Sequence, residues 1–250
     1  MASYIFLALG FVFLAVFCVF RDKKSSVTAV CFKTVASVMF IATAVAGLLY
    51  NQHKEAVLFP ALLMICGLVL GLVGDVTLDL KIYLKGLPYD NAEKDSDKMT
   101  YLGMASFGVG HILYIIATGL RFGFGLNMLY TAVCAVGVTG AIFIFSIFIM
   151  KMKFGKFLAP SIAYCLLLTW FVAYSAWQLA MAFSVASVLL VVGAVMFIVS
   201  DLILSMTYFS KEEDYKRDGA LNPESRLMII TNHATYYIAQ FLIAIAVMFI

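Results

Sequence analysis

Apolar residues run along this chain in long, nearly unbroken blocks, without the two-residue alternation of a half-buried strand. A block of about 20 residues is what a helix needs to cross a bilayer. Eight can be read, at about 4–20, 28–50, 56–80, 100–120, 127–149, 157–179, 184–209 and 226–250. They predict an all-α fold, a polytopic membrane bundle of eight transmembrane helices forming a single domain over residues 1–250. The spans differ too much in polar content to suggest the inverted halves of a transporter. The two longest connectors, 81–99 and 210–225, carry mixed charges with Gly and Pro and read as solvated loops. Asn222-Pro223-Glu224 is expected to start the last helix, with Pro near its first turn.

Composition agrees with the pattern. The chain is 64% hydrophobic and 12% charged, against about 45–50% and about 25% in soluble domains. The five cysteines are scattered singly inside apolar blocks with no CxxC pair, which excludes zinc ribbons and disulfide frameworks. A net charge of +3 from dispersed basic residues gives no nucleic-acid signature. Residues 4–20 lack a positive segment before them, and Arg21, Lys23 and Lys24 follow instead. That order fits a first membrane helix better than a cleaved signal.

Charge also orients the bundle. With eight spans both termini share a face, and the only Lys or Arg on that face are Lys54 and Arg121. Every other Lys and Arg, apart from the intramembrane Lys33, falls on the opposite face. The positive-inside rule makes that opposite face cytoplasmic and places both termini on the non-cytoplasmic face.

Ionisable residues inside a span are costly and mark function or pairing. Asp75 lies in LVLGLVGDVTLDL and Asp201 in VVGAVMFIVSDLILSMTYF. Lys33, His111, Tyr164, Asn232, His233 and Tyr236 fall at a similar level on other spans, about 7–17 Å below the cytoplasmic interface at the helical rise. The outer half is nearly free of ionisable groups, so one buried cavity open toward the cytoplasm is expected. Asp75 and Asp79 share a helix face at i,i+4, as His111 and Tyr114 do at i,i+3. Asn232, Tyr236 and Gln240 form a stripe beside His233 and Tyr237. Gly67, Gly71 and Gly74 in the third span, and Gly103, Ser106 and Gly110 in the fourth, permit close helix approach. Blander readings exist for several of these. Lys33 is near enough to the boundary to snorkel, Asp79 to be solvated or to cap the loop, and the two histidines to bond across helices.

The ordered set Gly74-Asp75, Gly110-His111 with Tyr114, Ser200-Asp201, Tyr236-Tyr237 and Ala239-Gln240 resembles the lysoplasmalogenase-like, or YhhN-type, membrane proteins. The likeness runs over roughly residues 28–245. It implies an enzyme that hydrolyses the vinyl ether bond of lysoplasmenyl-ethanolamine or -choline. The products are a fatty aldehyde and the glycerophospho-headgroup, and Asp75 and Asp201 are implied as the acid/base pair. Protonation of the alkene carbon gives an oxocarbenium ion that water attacks, chemistry that two carboxyls in a low-dielectric pocket suit. No nucleophile elbow is present, and no cofactor or metal is called for. Lys33 could reach the headgroup phosphate, with the chain in the apolar outer half. Asp79, His111, Tyr114, Tyr164, Asn232, His233, Tyr236 and Gln240 are the candidate supporting residues.

Three other readings remain open from the residues alone. His111, His233 and one Asp could hold zinc, though on different spans and without HExxH spacing. A proton-coupled carrier could use both aspartates as a relay, and a structural or partner-binding role is the third. The expected setting is membrane lipid, in a bacterial inner membrane or the endoplasmic reticulum.

Overall fold

The computed structural model describes residues 2–21, 26–51, 55–216, 218–220 and 222–250. Lys23, Lys24, Lys54 and Arg217, used above to orient the bundle, lie outside the described residues. The long helices are α1 (Ala2–Phe20), α2 (Val27–Asn51), α3 (Glu55–Lys85), α4 (Ala92–Phe122), α5 (Leu126–Ile144), α6 (Leu158–Met181) and α7 (Val185–Phe209). A short α8 (Glu212–Tyr215) precedes the last, α9 (Arg226–Ala246). Among the described residues, eight helices are long and apolar enough to cross a membrane.

Polarity sorts these helices in depth within the bundle. The two least apolar, α4 and α9, are the most buried, whereas α1 and α5 are strongly apolar and mostly exposed. Lipid is as apolar as any side chain, so the apolar helices lose nothing at the rim while polar groups gain partners inside. α9 is central and touches α1, α2, α3 and α7, while α5 packs on α6 and on no other long helix.

The most extensive helix–helix packing is between α3 and α4. A Cβ on Gly110 would stand 3.2 Å from the Gly67 carbonyl oxygen, and one on Gly74 would enter the Phe107 ring. The small residues noted in the sequence thus bring two backbones together directly beside Asp75.

Both connectors differ from expectation. α3 continues to Lys85 and α4 begins at Ala92, which shortens the 81–99 loop to a turn. The extra turns are amphipathic and helix-compatible: Glu93 and Asp95 sit in the first turn of α4, and Lys98 pairs with Asp95 at 2.9 Å. α9 starts after Ser225, which accepts from the Met228 amide at 3.2 Å. Asn222-Pro223-Glu224 is instead a turn, held by the Glu224 N–H on Asn222 Oδ1 at 2.8 Å. At the same end of the bundle, a π-helical turn (Phe145–Ile149) closes α5. There the Lys153 amide bonds the Phe209 carbonyl at 2.8 Å, and Lys156 pairs with Asp97.

Candidate functional site

Lys33 on α2 stands between two carboxylates of α3. Its Nζ lies 3.5 Å from Asp75 Oδ1 and 3.4 Å from Asp79 Oδ2. The three residues are 6%, 3% and 2% exposed, which corrects two readings. Lys33 does not snorkel, because the carboxylates that neutralise it lie inward. Asp79 is neither solvated nor a loop cap, because α3 runs on for six residues beyond it.

The other oxygen of Asp75 is held from two directions. Ser37 Oγ donates to Oδ2 at 2.6 Å and the Tyr236 hydroxyl donates to it at 2.9 Å. Behind them, Gln240 Nε2 donates to the Tyr236 hydroxyl at 2.9 Å, and Tyr114 donates to Gln240 Oε1 at 3.3 Å. Tyr237 donates to the Lys33 carbonyl at 2.9 Å and touches Ser37 Oγ at 2.9 Å. Four helices therefore immobilise one carboxylate with charge-assisted bonds.

Asp201 has a different environment. It accepts a short hydrogen bond from the Tyr164 hydroxyl of α6, and among the described residues it forms no ion pair. Among the described residues Asn232 forms no hydrogen bond with it. Instead its amide donates to the Ser200 carbonyl at 2.7 Å and to Ser200 Oγ at 3.1 Å, tying α9 to α7 one residue away.

Among the described residues, His111 and His233 form no hydrogen bond across helices. His111 Nδ1 donates to the Phe107 carbonyl at 2.8 Å and His233 Nδ1 to the Ile229 carbonyl at 2.7 Å, each within its own helix. A histidine that donates from Nδ1 keeps Nε2 as an acceptor. His111 Nε2 is buried without a hydrogen-bond partner, its ring set edge-on to Tyr114, Tyr164, Phe171 and Phe197. Among the described residues no three His, Cys, Asp or Glu side chains come together as a metal site.

The expected single cavity is two adjoining compartments. A polar pocket of about 630 Å³, counting its open mouth, is lined by Arg21, Lys33, Asp75, Asp79, Asp201, Asn232, His233 and Tyr236, among others. An apolar cleft of about 860 Å³, counting its open mouth, lies between α4, α5, α6 and α7. Leu78, Phe107, Asp201, Leu204 and Tyr208 line both. The Phe107 ring in this shared wall lies against Gly74, in the space a Cβ there would take. Tyr164 lines the cleft, whereas His111, Tyr114 and Gln240 line neither compartment.

Residues 28–247 match the YhhN family. The chain belongs to the YhhN family. The family includes lysoplasmalogenases. No curated protein and no solved structure matches the chain.

In this YhhN family member the matched stretch covers α2 to α9 and leaves out α1. Gly74-Asp75, Gly110-His111, Ser200-Asp201 and Tyr236-Tyr237, far apart in sequence, converge around the polar pocket or directly behind it. Sequence reasoning missed Arg21, Ser37 and Tyr208 as site residues. Arg21 was counted as a loop charge, yet it is 6% exposed at the end of α1 and lines the polar pocket. Ser37 carried a signal, being four residues from Lys33 on one helical face. Tyr208, two turns from Asp201, carried the same kind of signal, and Lys81 Nζ lies 3.5 Å above its ring.

Proposed function

We propose that this protein is a lysoplasmalogenase, hydrolysing the vinyl ether of a lysoplasmalogen to a fatty aldehyde and a glycerophospho-headgroup. The observation that carries the reading is that Asp75 and Asp201 face one polar pocket with unlike partners. Asp75 has a lysine and two hydroxyl donors. Asp201 has a neutral phenol and borders the apolar cleft.

This asymmetry divides the roles. Asp201 gives a proton to the alkene carbon remote from the ether oxygen, and the adjacent carbon and oxygen become an oxocarbenium ion. The Asp75 carboxylate stabilises that positive charge and takes a proton from the water that attacks the carbon. The resulting hemiacetal collapses with cleavage of its bond to the glycerol oxygen, and the aldehyde and the free alcohol leave. Water in the pocket returns the proton from Asp75 to Asp201, so one water is consumed per turnover. General acid–base assistance of this kind contributes about 10²–10⁴-fold.

The headgroup phosphate lies beside Arg21 and Lys33, where the pocket carries its cations. The excess of Lys and Arg on the connectors at this end of the bundle supports a cytoplasmic location for it, with both termini opposite. The membrane is then a bacterial inner membrane or the endoplasmic reticulum. The test is aldehyde release from lysoplasmenyl-ethanolamine by purified protein in detergent, beside Asp75→Asn and Asp201→Asn. Release by wild type and none by two folded variants supports the reading. Folded wild type that releases no aldehyde from any alkenyl lysolipid overturns it.

A further inference from the structure

We infer that the apolar cleft between α4, α5, α6 and α7 is the subsite for the single hydrocarbon chain of the lipid, with chain-length selectivity set by its walls. The inference rests on the proposed lipid substrate and relocates the chain. The sequence suggests the apolar outer half of the bundle. The cleft instead lies beside the carboxylates, toward the end where α5 closes in its π-helical turn.

Three observations carry it. First, the cleft is almost wholly hydrocarbon-lined, by side chains such as Leu78, Met104, Phe107, Ile142, Leu168 and Ile198. Second, it shares Asp201 with the polar pocket. A lysophospholipid has a charged head and an apolar chain joined at one linkage, and the two compartments join at one carboxyl. Phosphate beside Arg21 and Lys33 with the chain in the cleft brings the linkage to Asp201. Third, one wall is thin. Ile142, Phe143 and Ser146 come from α5 and its terminal turn, and α5 rests only on α6 among the long helices. The chain is thus separated from the bilayer that supplies it by one helix.

The chemistry also needs a dry neighbour to Asp201. A chain filling the cleft excludes water from the side of the alkene that receives the proton, leaving water only in the polar pocket, on the Asp75 side. The cleft therefore acts on selectivity and on protection of the proton-transfer step together.

Ser161 is the place to test this. It lines the cleft, and its Oγ is buried with no hydrogen-bond partner among the described residues. Ser161→Phe therefore fills the space without breaking a bond. Ile142→Trp does so from another wall, and Val136→Trp, on the exposed face of α5, is the control. Lysoplasmenyl-ethanolamines of graded chain length are assayed for aldehyde release. For wild type, kcat/KM should rise about fourfold per added methylene until the cleft is full. In Ser161→Phe and Ile142→Trp the limit should move to shorter chains, with about a tenfold loss on the longest, while Val136→Trp keeps the wild-type profile. A folded filling variant that loses activity equally on every chain length overturns the inference.

A second measurement separates this inference from the activity. A non-hydrolysable alkyl-ether lysophosphoethanolamine with a diazirine at its chain terminus is photolysed on the full-length protein, and the labelled peptides are mapped. Label on α5, α6 or α7 near Ile142, Leu168 or Ile198, reduced in Ser161→Phe, supports the subsite even if wild type releases no aldehyde. In that case only the enzymatic reading falls. Label confined to α1 and α2, or unchanged by Ser161→Phe, overturns the subsite whatever the activity.

Discussion

Asn232 on α9 donates its amide to the carbonyl oxygen of Ser200 on α7 at 2.7 Å, in the residue immediately before Asp201. A backbone carbonyl bonded in this way cannot slide along its neighbour. The height of Asp201 in the bundle is therefore set by a helix other than its own. Asn232→Ala leaves the Ser200 hydroxyl and carbonyl without this donor, and loss of such a buried partner costs about 1–3 kcal/mol. Thermal unfolding in detergent should show that loss. kcat should fall more than KM rises, because Asn232 positions the acid and does not hold the chain.

Lys33 serves two carboxylates at once. Lys33→Met leaves Asp75 and Asp79 facing each other with their cation gone, and breaking a buried pair from one side costs about 3–5 kcal/mol. Adding Asp79→Asn removes one of the stranded charges. The double variant should unfold at a higher temperature than Lys33→Met alone, a non-additivity that independent sites would not give.

Asp75→Asn and Asp201→Asn should each lower aldehyde release by about 10²–10⁴-fold while the protein stays folded. Asparagine keeps the shape of both sites, Lys33 retains Asp79 as its partner in Asp75→Asn, and Asp201→Asn replaces a protonated acid, so neither variant should be markedly less stable than wild type. The check is release rate beside a melting curve for each purified variant.

Tyr164 is the sole hydrogen-bond donor found for Asp201 among the described residues. Tyr164→Phe removes the hydroxyl and keeps the ring that lines the cleft. Release should fall about tenfold through the lost bond to Asp201, with chain-length preference unchanged. Coupling to Asp201→Asn tests the link, since Tyr164→Phe should add little once Asp201→Asn is made.

Gly110 faces backbone, not a yielding side chain: a Cβ there would stand 3.2 Å from the Gly67 carbonyl. Gly110→Ala must part α3 from α4, and such overpacking costs about 1–3 kcal/mol. Because Phe107, which lines both compartments, packs on Gly74 of the same helix pair, the variant should also lose activity. Gly137→Ala, where nothing lies within 4 Å, should leave both stability and activity unchanged.

The eight spans were legible in the sequence because crossing a membrane is a local requirement, satisfied by about 20 apolar residues in a row. The shared face of Asp75 and Asp79 was legible for the same kind of reason, since i,i+4 geometry is internal to one helix. The order of Gly-Asp, Gly-His, Ser-Asp and Tyr-Tyr was enough for the family resemblance. Only the tertiary structure decided which groups meet. Lys33 between two carboxylates, Ser37 on Asp75, Arg21 buried at the pocket and Asp201 on the wall of two compartments all depend on rotation and height of one helix against another. Glycines set the distance between α3 and α4, and bonds between helices, such as Asn232 to Ser200, set the rest. No single segment contains that distance, so it became visible only once the helices were packed.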